Sequence, residues 1–178
     1  MRLDSPRIRP VGSDRWNEEQ KKLLEPMVSN GKLLNIYGTL GVKPKAARAF
    51  LAWGHYVLRE SSLPATDREI AILRVGELAN AGYELWQHSR VGRAVGLSDH
   101  DIEAAKAGPD HPLWDVKRRT LLTAVDELFG DHFISDSSWQ ALGVVYSQEE
   151  CMDLVYVVGH YTQVCMILNT FGVQIEKE

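Results

Sequence analysis

Glu69-Ile-Ala-Ile-Leu-Arg-Val-Gly-Glu-Leu-Ala-Asn-Ala-Gly-Tyr-Glu84-Leu-Trp-Gln-His88 decides how this chain is read. An acid opens an apolar helix, a break containing Gly82 follows, and a carboxylate then stands four residues before a histidine. Residues four apart share a helix face, so Glu84 can meet the His88 ring and raise its proton affinity. An imidazole tuned in this way can act as an acid or base near neutral pH. The competing reading is an ordinary exposed Glu–His pair, since short motifs arise by chance. Glu69 and the flanking pattern weigh toward a site.

Working outward, Thr66 followed by Glu69 has the form of a capping box, which gives Glu69 a purely structural alternative. The helix then carries Ile70, Leu73, Val75 and Leu78 as mostly buried positions and stops at Asn80-Ala-Gly82. The two helices are expected to form an antiparallel hairpin, with Gly82 supplying the backbone freedom of a tight reversal. A helix over 83–95 ends at Gly96, and Ser98 caps the next one, which Gly108-Pro109 stops. Upstream, Asn17 caps a short helix and Pro44 opens a second at its first turn. His55 lies near the edge of that helix's apolar face and reads as structural. Downstream, 117–129 is helical, a short helix starts near Ser135, and Ser147-Gln-Glu-Glu150 is a capping box for the longest helix. No period-two alternation bounded by hairpin turns occurs. The chain reads as all-α, with about seven to eight helices in one domain over 1–178 and a polar arm at 1–15.

That last helix is apolar nearly all round, so it is expected at the centre of the fold or between subunits. Within it Tyr156, His160 and Gln163 form one polar stripe, which internal hydrogen bonds, a subunit contact or a pocket wall could each explain.

Composition narrows the class. The 178 residues are 44% hydrophobic and 25% charged, as in ordinary globular proteins. A net charge of −4 gives no footprint for nucleic acid. The basic groups Arg90 and Arg93, and Lys117 to Arg119, read as solvated helix faces. The polar start at Met1-Arg-Leu-Asp has no signal-peptide core, and the apolar stretch around Leu154–Val158 is far too short to span a bilayer, which together predict a cytoplasmic protein with no membrane contact. Cys151 and Cys165 lie fourteen residues apart on one predicted helix, roughly 21 Å, so they cannot pair within the chain and read as buried thiols.

The chain resembles the carboxymuconolactone decarboxylase family, part of the alkylhydroperoxidase D-like superfamily, from about Leu33 onward. Asn35-Ile-Tyr-Gly-Thr-Leu-Gly-Val-Lys-Pro, Ser62-Leu-Pro-Ala-Thr-Asp-Arg-Glu-Ile-Ala-Ile-Leu-Arg-Val, Tyr83-Glu-Leu-Trp-Gln-His88, Arg93-Ala-Val-Gly-Leu-Ser98, Gly159-His-Tyr and Asn169-Thr-Phe-Gly-Val carry the likeness. Peroxidase members place Cys-x-x-Cys where this chain has Ala81 and Glu84, with a glutamate matching Glu69 and a histidine matching His88. Decarboxylase members carry Glu-x-x-x-His there, as Glu84 and His88 do. The resemblance therefore implies a decarboxylase-like enzyme acting on a small organic acid or lactone, with His88, Glu84 and Glu69 catalytic: His88 donates the proton, Glu84 orients it, and Glu69 is a second acid/base or polariser. It implies no metal or organic cofactor, a small-molecule substrate, and a homo-oligomer, trimer or hexamer. Arg74 is the nearest basic candidate in sequence for a substrate carboxylate, although it lies about 140° round the helix from Glu69. The alternatives are a peroxidase-type antioxidant protein, weakened by the absent cysteine pair, and a non-catalytic binding protein on the same fold.

Overall fold

The computed structural model describes residues 1–29 and 32–176, and its described residues are helical with no strand. Among the described residues nine α-helices follow in order: α1 (Glu18–Leu24), α2 (Asn35–Leu40), α3 (Pro44–His55), α4 (Ala65–Leu78), α5 (Gly82–Ala94), α6 (Asp99–Ala107), α7 (Val116–Asp131), α8 (Asp136–Val145) and α9 (Gln148–Phe171). A π-turn over Tyr56–Glu60 extends α3. The expected caps at Asn17, Ser98 and Ser147 are present, each within a capping box.

The centre of the fold is α4, packed against α5, α6, α7 and α9. Ile70 to Leu73 are all fully buried, because a helix enclosed on every side has no solvent face to reserve for polar residues. Gly76 approaches Leu85 and Glu84, whereas Leu73 approaches Gly92, so α4 and α5 run antiparallel. The turn between them departs from expectation in one respect. The left-handed residue is Asn80, at φ 49°, while Gly82 is the first residue of α5. A Cβ on Gly82 would stand 2.8 Å from the Met1 nitrogen, so the glycine serves a close approach of the N-terminal arm.

The start of α4 holds a second correction. The helix begins at Ala65, directly after Pro64, and no side chain caps it. Thr66 is inside the first turn and the capping box with Glu69 does not form. Asp67, Arg68 and Glu69 are instead three consecutive buried charged residues. At about 100° per residue they point in different directions. Asp67 accepts from the Tyr146 hydroxyl at 3.0 Å and pairs with Lys117 at 3.0 Å and Arg118 at 3.6 Å, so two of the cations expected to be merely solvated anchor α7 to α4. Before α4, Asp153 of α9 accepts from the Ser62 backbone and hydroxyl at 2.6 Å and from Tyr56 at 2.9 Å, fixing the approach to the helix.

The 24 residues of α9, with a mean hydropathy of 1.3 over their most apolar window, are long and apolar enough to cross a membrane, which the short stretch at Leu154–Val158 did not convey. In the fold this helix lies against α4, α7 and the π-turn, with Leu154, Val157, Val158, Cys165 and Leu168 buried. A smaller cluster of Leu23, Leu24 and Ala47, joined by Leu33, Tyr37, Leu40 and Leu51, unites α1, α2 and α3 at one flank.

Candidate active site

The α4–α5 hairpin brings Glu69, Glu84 and His88 together. The residues are 0%, 3% and 7% exposed. His88 Nδ1 lies 2.7 Å from Glu69 Oε2 in a hydrogen bond, and with Glu69 ionised the ring nitrogen is the donor. His88 Nε2 faces Glu84 Oε1 at 3.2 Å, close enough for charge attraction but without hydrogen-bond alignment. Tyr161 of α9 stands edge-on to the ring, with centroids 4.9 Å apart.

These contacts set the proton affinities. Burial opposes the imidazolium of His88, but the Glu84 charge and then the Glu69 hydrogen bond and charge outweigh it, so the pKa is raised above 6.5. Glu84 is pushed up to about 7, chiefly by burial and further by the Glu69 charge, against the pull of His88. Both groups therefore hold protons more tightly than they would in water. For Glu84 the stabilisation is fully present below its unfolded value of about 4.5 and is lost as pH rises through about 7.

The three residues line a pocket of about 410 Å³. Its buried charged lining comes from α4 and α5, and Leu34, Ile36, Tyr37, Phe50 and Leu51 contribute an apolar lining. Of the six buried side-chain polar atoms without a hydrogen-bond partner among the described residues, five belong to residues that line this pocket: Arg68 Nε, Glu69 Oε1, Glu84 Oε1, Gln87 Oε1 and His160 Nδ1. Buried polar groups are nearly always paired, so such a concentration marks a place prepared for a polar guest. Among the described residues, no group of three or more His, Cys, Asp or Glu side chains is arranged to hold a metal ion.

The polar stripe of α9 divides. His160 lines the pocket, tilted against Phe50 with centroids 4.8 Å apart and edge-on to Tyr161, whereas Tyr156 meets Trp53 near the surface and Gln163 is exposed. Burial lowers the His160 pKa to about 4, so the ring is neutral when His88 is charged. The unfolded chain protonates it near 6.5, and stability is lost as pH falls from there toward 4. His160→Gln is expected to remove roughly 2 kcal/mol of the acid-side loss between pH 7 and pH 4.5. Urea midpoints of both proteins at the two pH values check this, and an equal loss in both would contradict it.

His55 is exposed at the pocket mouth, 3.5 Å from Glu60, rather than packed as a structural residue. Arg74 is excluded as a pocket cation: Nε and Nη2 bind Asp126 at 2.6 and 2.8 Å, and Nη1 binds the Lys106 carbonyl. The pocket's buried arginine is Arg68, hidden in sequence inside Asp-Arg-Glu, which resembles any charged first turn.

A histidine held between two carboxylates of the hairpin is the centre of the site. Over residues 44–110, the chain matches the carboxymuconolactone decarboxylase family. That segment begins with α3 and ends just beyond α6, enclosing the hairpin. A comparison with curated proteins finds no match. Solved structures share the alkylhydroperoxidase D-like fold over nearly the whole chain. An uncharacterised peroxidase-related protein from Silicibacter sp. TM1040 aligns at TM-score 0.80 and 18% identity, covering 98% of this chain and 91% of its own. The corresponding figures for an alkylhydroperoxidase AhpD core protein from Ralstonia eutropha JMP134 are 0.79, 16%, 96% and 93%. A complex of the debrominase Bmp8 with 2,3,4-tribromopyrrole aligns at 0.77 and 17%, covering 95% and 91%. At the positions where peroxidase relatives of the carboxymuconolactone decarboxylase family carry paired thiols, this chain has buried Ala81 and Glu84. Cys151 and Cys165 are free and buried on α9, and burial pushes both thiols up, opposite to what a nucleophilic thiolate needs.

Proposed function

We propose that the protein is an acid–base enzyme acting on a small organic acid or lactone by decarboxylase-like chemistry. The observation that carries this reading is the buried His88 set between Glu69 and Glu84 on the wall of a pocket rich in unpartnered polar atoms. The distances favour a division of labour different from the one the sequence implied. Glu69, hydrogen-bonded and fully buried, orients the ring. Glu84, unaligned and titrating near neutrality, is the better placed to exchange a proton with substrate.

In such a reaction the electrons of the carbon–carboxylate bond pass into a conjugated carbonyl as carbon dioxide departs. The enolate left behind takes a proton at carbon, from His88 or from protonated Glu84. The substrate carboxylate plus one proton becomes product plus carbon dioxide, so solvent must return one proton per turnover. The apolar wall at Ile36, Phe50 and Leu51 disfavours the charged starting state and supports this chemistry. That the debrominase on this fold holds a small planar ring supports a ligand of that size.

Carbon dioxide release from unsaturated lactone carboxylic acids, compared between wild type and His88→Gln, tests the reaction. Peroxide consumption with a dithiol donor and no carbon dioxide release would overturn it in favour of the antioxidant reading. Glu84→Gln is expected to lower the His88 pKa, because the Glu84 charge is the largest influence raising it. NMR titration of the ring in both proteins measures the shift, and equal values would refute the coupling.

We further propose a cytoplasmic homo-oligomer. Met152, Val155 and Met166 of α9 and Trp53 of α3 are exposed apolar groups that association would cover. Light scattering at micromolar concentration is expected to give a multiple of 20.0 kDa, and a monomer mass would overturn it.

A further inference from the structure

Arg68 is 9% exposed and carries a charge that proteins do not titrate away. Its one hydrogen bond among the described residues is a long contact of 3.4 Å from Nη1 to the Leu63 carbonyl, and Nε has none. No ion pair among the described residues includes it. The contrast with Arg74, whose guanidinium is forked onto Asp126, shows how this fold treats a structural arginine. A buried charge without a partner is costly, and a planar guanidinium is shaped for a planar oxyanion.

Among the described residues, neither carboxylate of the hairpin pairs with Arg68. Glu69 is committed to His88 and Glu84 faces the other ring nitrogen. His88 and Glu69 bind each other, which leaves Arg68 and Glu84 as the other charged groups on the hairpin side of the pocket, with burial raising the proton affinity of Glu84. At the mouth, the exposed His55 and Arg59 also line the pocket. Arg68 also pulls the proton affinities of His88 and Tyr161 downward, so its field reaches the ring.

We propose that Arg68 anchors the anionic group of the ligand, so that the pocket takes a small monocarboxylate with a flat apolar body. The charged end rests on α4, beside His88, and the body lies against Ile36, Tyr37, Phe50 and Leu51. This inference rests on the pocket being the ligand site but not on what His88 does there.

The test uses the intact protein and calorimetric titration with 2-furoate and benzoate, their neutral amides, and inorganic phosphate. In wild type each carboxylate is expected to bind at least tenfold more tightly than its amide and than phosphate. Arg68→Gln is expected to erase that preference, Arg68→Lys to keep part of it, and Arg59→Gln at the mouth to leave it in place. Circular dichroism and melting confirm that each variant is folded. If Arg68→Gln does not fold, the wild-type preference and the Arg68→Lys and Arg59→Gln results still decide. Amides or phosphate binding as well as the carboxylates in wild type would overturn the proposal. So would a preference that survives in Arg68→Gln, is undiminished in Arg68→Lys, or is lost in Arg59→Gln. The same titration in His88→Gln separates the two readings. A retained preference with unimpaired turnover sinks the acid–base mechanism alone, and a missing preference with abolished turnover sinks the anchor alone.

Discussion

His88→Gln is expected to cut turnover by about a hundredfold or more, the usual contribution of a positioned general acid–base. The ring is buried and bonded to Glu69, so the replacement keeps a polar group of similar reach while removing the titrating proton. Stability should change little beside activity, because glutamine can still donate to the Glu69 carboxylate. The measurement is kcat/KM for carbon dioxide release together with a denaturation curve. Activity within threefold of wild type, in a protein that melts normally, would remove His88 from the chemistry.

A second large effect is expected away from the polar atoms. Leu73 is fully buried on α4, and its side chain approaches Gly92 across the hairpin. Leu73→Ala removes the packing that holds α4 and α5 at a fixed spacing, at a cost of about 2–5 kcal/mol. Because the 2.7 Å bond between Glu69 and His88 spans the same two helices, the variant should also lose turnover at a temperature where it remains folded. Displacement of a catalytic group by an ångström is enough to slow a reaction strongly. Urea denaturation and activity at low temperature provide the two readings. A loss below about 1 kcal/mol would mean that the interface relaxes into the space.

The local signals in the sequence were readable wherever a helix end depends only on its own neighbours. Asn17, Ser98 and Ser147 each cap as their spacing predicts, and the Glu84–His88 pair follows from helical geometry alone. Thr66 and Glu69 have the same spacing as a true capping box. There Pro64 starts the helix two residues earlier, and an imidazole from α5 takes the carboxylate. Nothing local distinguishes the two outcomes, because the deciding partner is nineteen positions away. Arg68 carries no local signal for a related reason. A charged triplet at a helix start usually faces water, and here it is buried only because α4 is surrounded by four other helices. Arg74, the nearest basic candidate by sequence, is bound to Asp126 instead.

The proton-handling groups sit in one packing unit, and the apolar lining of their pocket is shared between two. Glu69, Glu84 and His88 sit on the hairpin within the large core, against which Ile36 and Phe50 also pack, whereas Tyr37, Leu40 and Leu51 pack into the small cluster of α1 to α3. The family match begins at residue 44, so the stretch carrying Leu34, Ile36 and Tyr37 lies outside it. A lineage could therefore remodel the shape its pocket accepts by drifting at Leu34, Tyr37 and Leu40, positions apart from the large core, while the acid–base unit stays untouched. Such a division gives natural selection, or an engineer building a library at those three positions, a way to change clientele without rebuilding the catalyst.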